Sequence, residues 1–194
     1  MLPLIERVAR VTAIIGGMVL TALVILTCVS VLGRGLNTLG HSELLIGAAP
    51  GLAEWLIATG VAPITGDFEL VEAGIAFAIF AFLPICQLYG GHATVDVFTA
   101  LLSTRKNRVI RSFWEVVLSA IILLITWRLY VGMMDKMAYG ETTFLLQFPV
   151  WWSYAASLVA AVIASVVAIY CAAARVLNLL TGRQYLPQSE GAGH

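Results

Sequence analysis

The chain has 194 residues, of which 60% are hydrophobic and only 11% are charged, and its mean hydropathy is +0.94. Soluble domains carry roughly a quarter of their residues as charges, and disordered segments have low hydrophobicity, so the composition excludes both classes. The eleven basic residues are balanced by eleven acidic ones, which leaves no basic surplus for binding nucleic acid. We therefore predict one all-α integral membrane domain over residues 1–194, surrounded by the lipid bilayer.

Four stretches are apolar and long enough to cross a bilayer as helices. The first, 11–33, holds 23 uncharged residues; as a helix it measures about 34 Å and exceeds a hydrocarbon core of about 30 Å. Because its apolar run is longer than that of a signal peptide, we interpret it as a retained helix. The other predicted spans are 73–91, 110–131 and 149–174, the last with Pro149 in its first turn.

The connection between the first two spans, 35–66, is long and contains apolar pieces that are too short to cross the membrane. Pro50 and Gly51 interrupt these pieces. We predict that the segment forms a short amphipathic helix lying in the outer interface.

Lysine and arginine residues predict the orientation, because they are enriched in cytoplasmic segments. With the N-terminus inside, eight of them lie on the inner side and three on the outer side. The inner residues are Arg7, Arg10, Arg105, Lys106, Arg108, Arg111, Arg175 and Arg183, and the outer ones are Arg34, Arg128 and Lys136. Both termini are therefore predicted to be cytoplasmic.

Three tryptophans, Trp127, Trp151 and Trp152, fall near the outer ends of the last two predicted spans. Tryptophan is enriched at membrane interfaces, so we predict that the three lie together in an outer aromatic belt. Contact with a partner protein is the alternative interpretation of these side chains.

The spans contain none of the side-chain groupings that enzymes or cofactor sites need. The three histidines lie outside or at the edges of the spans, and no H-E-x-x-H or G-x-S-x-G motif occurs. We predict no catalytic residue, no cofactor and no metal, and hence that the chain is not an enzyme. Thr21, Thr27 and Ser30 are expected to bond to their own helix backbone rather than to line a path.

Charged residues at the edges of the spans suggest two ion pairs. Arg111 and Glu115 are four residues apart and share one helix face, which predicts a local pair at the start of the third span. Arg128 either extends toward the outer interface or meets an acidic residue at the same level, for which Glu72 is a candidate together with Glu69.

Two segments are distinctive in sequence. One runs from Phe82 to Phe98 and contains Gly90-Gly91-His92-Ala93-Thr94-Val95-Asp96; the other runs from Tyr139 to Trp152 and contains Glu141-Thr142-Thr143 and Gln147-Phe148-Pro149. Glycines can end a helix in a left-handed turn, so we predict that Gly90 and Gly91 end the second span while His92 and Asp96 fix the connection that follows. A partner contact is the alternative role for these four residues.

With the four-span layout, these segments resemble the small membrane subunit of tripartite ATP-independent periplasmic (TRAP) transporters. The resemblance implies a bacterial inner-membrane complex in which an extracytoplasmic binding protein delivers an organic acid to a large multispanning subunit. That large subunit carries the substrate and ion sites for ion-gradient-driven symport, and the small subunit scaffolds it. One departure is Thr94, which stands where the family often has a basic residue.

Two functions from different classes remain open at this point. The first is the scaffolding subunit of a TRAP transporter. The second is a membrane anchor or assembly subunit of an electron-transfer or other enzyme complex. A homo-oligomeric channel is disfavoured, because the middles of the predicted spans are mostly apolar.

Overall fold

The structure is a computed structural model that describes residues 2–90 and 104–181, apart from the side chains of residues 104–108, 111 and 180. The six helices in these ranges are α1 Leu2–Gly40, α2 Glu43–Ala48, α3 Pro50–Ala58, α4 Asp67–Tyr89, α5 Thr104–Tyr139 and α6 Trp151–Thr181. Four of them, α1, α4, α5 and α6, are long and apolar enough to cross a membrane. The predicted all-α fold with four spans is therefore confirmed.

The helices extend well beyond most of the predicted spans, because the charges that delimited those spans do not end the helices. Helix α1 has 39 residues and is about 58 Å long, so it continues past the hydrocarbon core. Helix α6 begins at Trp151, two residues later than predicted. Pro149 instead lies in an isolated β-bridge with Thr142, and its carbonyl accepts a hydrogen bond from the Trp152 N–H.

The four long helices form an open row rather than a closed bundle. Helix α1 packs mainly on α4, α4 on α6, and α6 on α5. The start of α1 also touches α6 near Ala9, whereas the backbones of α4 and α5 make no close approach in the described residues. The inner position of α6 is reflected in its burial: 44% of its most apolar stretch is buried, against 11% for α5. The two outer helices therefore present broad apolar faces to whatever surrounds the protein.

Alternating helix directions give the row two ends. At the terminal end lie the start of α1, the end of α4, the start of α5 and the end of α6. At the loop end lie the remaining helix ends, α2, α3 and the connection between α5 and α6. The charged and polar residues discussed below are concentrated at these two ends.

Helices α1 and α4 meet along a regular antiparallel seam. Its residues recur every seven positions on both helices, pairing Ala9 with Leu88, Gly16 with Ala81, Leu23 with Gly74 and Ser30 with Asp67. A seven-residue repeat is the pattern of left-handed supercoiled packing. The glycines allow close approach, since a Cβ on Gly74 would lie 2.6 Å from Leu23 Cδ1 and one on Gly16 would lie 2.8 Å from Ala81 Cβ.

Helices α5 and α6 are joined by hydroxyl groups in the membrane-spanning region. Ser119 donates to the Ala168 carbonyl at 3.1 Å, while Thr126 Oγ1 lies 2.8 Å from Ser165 Oγ. Between them, Ile122 packs on small residues of α6. Small and hydroxyl-bearing residues commonly hold helices together in membranes, where no hydrophobic force acts between them.

The segment between α1 and α4 is helical, as predicted, but it forms two short helices rather than one. The chain breaks at Ala49, which is followed by Pro50 in the first turn of α3. Helix α3 lies against the end of α1, where Gly40 faces Leu56. Its position in the outer interface stays a prediction.

Candidate functional site

A β-hairpin-like turn, hairpin 141–150, connects α5 to α6 at the loop end. The Val150 N–H donates to the Glu141 carbonyl at 2.9 Å, and the Thr143 N–H donates to the Phe148 carbonyl at 2.9 Å. Gln147 adopts a left-handed conformation with φ of 56°. This turn is built from the second distinctive sequence segment, which explains the unusual residues found there.

Glu69, in the first turn of α4, holds the tip of the hairpin. Its side chain is buried, with 6% exposure, and its two carboxylate oxygens accept hydrogen bonds from the N–H groups of Leu145 at 2.6 Å and Leu146 at 3.0 Å. Gly66, the N-cap residue of α4, has φ of 77° and packs beneath Leu146. Because hydrogen bonds to an ionised carboxylate are strong, Glu69 fixes the hairpin onto α4.

Asp67, two residues before Glu69 on α4, forms a side-chain hydrogen bond with α1. Ser30 Oγ donates to Asp67 Oδ2 at 2.5 Å, and the same hydroxyl accepts from the Ile64 N–H at 3.3 Å. Arg34 Nη2 lies 3.9 Å from Asp67 Oδ2, an exposed pair that adds little stability. The expectation that Ser30 bonds to its own helix is therefore wrong, whereas Thr21 and Thr27 do bond to their own helix carbonyls.

A cavity of about 470 Å³ lies between the hairpin, α4 and the first turns of α6. Apolar side chains from α4 and the hairpin form most of its wall, and Glu72 and Ser157 contribute polar atoms. No group of His, Cys, Asp and Glu side chains suited to a metal ion occurs within residues 2–90 and 104–181.

The terminal end contains a second polar cluster, centred on Glu115. Gln87 Nε2 donates to Glu115 Oε1 at 2.6 Å, and Arg175 Nε lies 3.7 Å from Glu115 Oε2. Gln87 is 1% exposed and Glu115 is 8% exposed. The cluster links three helices, because these residues lie on α4, α5 and α6.

The predicted turn after the second span is described only at its beginning. Helix α4 ends at Tyr89, and Gly90 follows in the left-handed conformation with φ of 61°. Gly91, His92 and Asp96 lie outside the described residues. Their structural or partner-contact role stays a prediction.

The two predicted ion pairs have different outcomes. The side chain of Arg111 is outside the described part of the chain, so its pairing with Glu115 stays a prediction. Glu72 and Arg128 are both described and form no ion pair with each other, which leaves the alternative that Arg128 extends toward the outer interface. The backbones of α4 and α5 do not approach each other closely in the described residues.

The three tryptophans do not share one level. Where α5 packs on α6, Ser119 lies opposite Ala168 and Gly132 lies beside Tyr154. Because the two helices run antiparallel, the same register places Trp151, the first residue of α6, opposite residue 135 or 136 of α5. Trp127 therefore lies about 12 Å along the helix axis from Trp151 and Trp152. The offset arises because α5 continues to Tyr139, eight residues past the end predicted for the third span. The place of the three tryptophans in an outer aromatic belt, or in contact with a partner, stays a prediction. Trp127 and Trp152 are exposed, and Trp151 is half-buried.

Comparison with known proteins identifies the family. Residues 23–179 match the tripartite ATP-independent periplasmic transporters, DctQ component, which covers most of the chain. The chain belongs to this family. The resemblance seen in the sequence is therefore confirmed, although no curated protein and no solved structure matches significantly.

Membership of the DctQ family decides between the two functions that the sequence left open, a transporter subunit and an anchor of an enzyme complex. DctQ proteins are transporter components and not enzymes, so the prediction that the chain is not an enzyme is confirmed and the anchor of an electron-transfer complex is not supported. The family works with a large membrane subunit and a binding protein. With its four apolar helices, this DctQ chain is a multi-pass inner-membrane protein.

Sequence reasoning missed the acidic residues that organise the loop end of the DctQ fold. From the sequence, no role is predicted for Asp67, and Glu69 is considered only as a partner of Arg128, although both lie in the first turn of a helix that follows Gly66. Acidic residues are stabilised at helix N-termini, which was the available signal. Nothing in the spacing shows that Glu69 reaches residues 145 and 146, more than seventy positions away.

Proposed function

We propose that this chain is the scaffold of a TRAP transporter, which stabilises a large subunit during binding-protein-dependent, ion-gradient-driven symport of an organic acid. The observation that carries the proposal is the open row of helices. Its outer helices α1 and α5 have broad apolar faces. The hydroxyl groups of Ser119 and Thr126 form hydrogen bonds between α5 and α6 and therefore do not line a path for a solute. Such a layer suits packing against another membrane protein rather than enclosing a solute at the membrane midplane.

Co-purification and reconstitution test this proposal. A tagged form of the chain, expressed with its large TRAP subunit, is expected to elute with that subunit at constant stoichiometry in mild detergent. Proteoliposomes that contain both subunits should take up a labelled organic acid when the binding protein and a sodium gradient are supplied, because the large subunit carries the transport sites. Omission of the small subunit should reduce uptake at least about tenfold through loss of the assembled complex.

The control is the small subunit reconstituted by itself. Uptake by these vesicles above that of empty liposomes would contradict the scaffold proposal, as would full transport by the large subunit without this chain. A tagged membrane protein of unrelated sequence, purified in the same detergent, should recover none of the large subunit.

We also propose that both termini are cytoplasmic, with the loop end outside. The support is the distribution of basic residues, which places eight lysines and arginines on the terminal side. Green fluorescent protein fused after His194 should fluoresce, and alkaline phosphatase fused there should be inactive. Alkaline phosphatase inserted after Thr59 should be active, and the reversed pattern at the two positions would overturn the orientation.

A further inference from the structure

The cavity beside the hairpin is elongated along the helices. On α4 it is lined by residues on one face from Phe68 to Phe80, a rise of about 18 Å. Its other walls come from hairpin 141–150, from the start of α6 and from Leu129 of α5. Because the backbones of α4 and α5 do not approach each other in the described residues, no helix pairing closes the space between them.

Two of the polar side chains that line this cavity, Glu72 and Ser157, have no hydrogen-bond partner in the described chain. Glu72 is exposed and forms no hydrogen bond or ion pair with another described residue, unlike Glu69 one turn earlier. The hydroxyl of Ser157, a residue that is 1% exposed, lines the cavity and has no hydrogen-bond partner in the described chain. A buried hydroxyl without a partner is destabilising, so Ser157 offers a hydrogen-bonding group to a ligand that enters the cavity.

We propose that this cavity holds one acyl chain of a membrane phospholipid with a primary-amine headgroup, whose ammonium pairs with Glu72. The wall from Ala76 to Phe80 accommodates the hydrocarbon chain, and Ser157 donates to an ester carbonyl of the lipid. The volume of about 470 Å³ lies in the range of small-molecule sites, about 300–1,000 Å³.

A phospholipid explains the shape and charge of the site better than a side chain of a partner protein. The space runs parallel to the helices over about 18 Å, which is longer than any single side chain. A carboxylate in a membrane protein favours a cationic partner, and the ammonium of an ethanolamine headgroup can donate hydrogen bonds to it. An uncharged glycerol headgroup lacks this interaction.

Photolabelling tests the proposal on the full chain in nanodiscs together with its large subunit. The probes are phosphatidylethanolamine and phosphatidylglycerol that carry the same diazirine-bearing acyl chain. Phosphatidylethanolamine is expected to label α4 near Ala76 or α6 near Ser157, with about a two- to fivefold preference over phosphatidylglycerol, as one ion pair at an exposed site would give. Glu72→Gln should remove that preference while labelling itself persists.

A cavity-filling variant provides the second measurement. Ala76→Phe should abolish labelling at the cavity by either lipid, because its ring occupies the acyl-chain space. Ala120→Phe, the same change at an exposed position of α5, should leave labelling unchanged. Absence of cavity labelling in the wild-type complex, a crosslink from this site to the large subunit in its place, or equal labelling by the two lipids would each overturn the proposal.

Discussion

Glu69→Ala is expected to lower the midpoint of thermal unfolding by about 6–10 °C. The buried carboxylate accepts hydrogen bonds from the tip of the hairpin, at the N–H groups of Leu145 and Leu146. Without it, these two N–H groups have no partner and hairpin 141–150 loses its attachment to α4. The measurement is the intrinsic tryptophan fluorescence of the protein purified in mild detergent, followed during heating.

Glu72→Ala is the matched control, since Glu72 lies one turn further along α4 and has no partner in the described chain. It is expected to shift the midpoint by less than about 2 °C. Glu69→Gln should fall between the two, because an amide can accept only one of the two N–H bonds. If Glu69→Ala and Glu72→Ala unfold at the same temperature, Glu69 does not hold the hairpin.

The hairpin shows why part of this fold could be predicted from sequence and part could not. The four spans follow from the length of apolar stretches, because the thickness of the bilayer sets that length directly. The ends of the helices do not, since α1 and α5 continue through charged residues that water or the interface can accommodate. The extra length of α5 places Trp127 about 12 Å along the helix axis from Trp151.

Contacts between helices were the least predictable feature. Helix periodicity identifies which residues share a face, but it does not identify the neighbouring helix. Glu72 and Arg128 have suitable charges, yet they lie on α4 and α5, whose backbones do not approach each other closely in the described residues. Ser30 has the same local options as Thr21 and Thr27, but the α1–α4 seam brings it to Asp67 and the contact between helices replaces the local one.

The distinctive sequence segments carry the family resemblance without revealing their shape. The segment from Tyr139 to Trp152 contains glycine, threonine and proline residues that indicate a turn. Its particular hairpin also depends on Gln147 in a left-handed conformation and on Glu69 from another helix. Such long-range partners are set by the packing of the whole fold and not by local residue preferences.

The polar cluster at the terminal end is expected to tolerate substitution even less than the hairpin. Glu115→Ala should destabilise the protein by about 3 kcal/mol, the lower end of the range for removing one member of a buried ion pair, because the Arg175 side chain is 27% exposed and water can partly compensate its charge. Arg175 Nε is buried and already has no hydrogen bond within the described chain, and Gln87 would lose the acceptor of its 2.6 Å bond. In thermal unfolding the loss corresponds to a shift of the midpoint of about 6–12 °C.

A double variant separates loss of the ion pair from loss of packing. Replacement of both charges, with Glu115→Leu and Arg175→Met, should recover at least about half of the stability, because apolar residues of similar volume are often neutral where an ion pair was buried. Asp135→Ala, at an exposed acidic position of the same helix, is the control and should change little. Equal losses in Glu115→Ala and the double variant would show that the cluster stabilises α4, α5 and α6 by something other than paired charge.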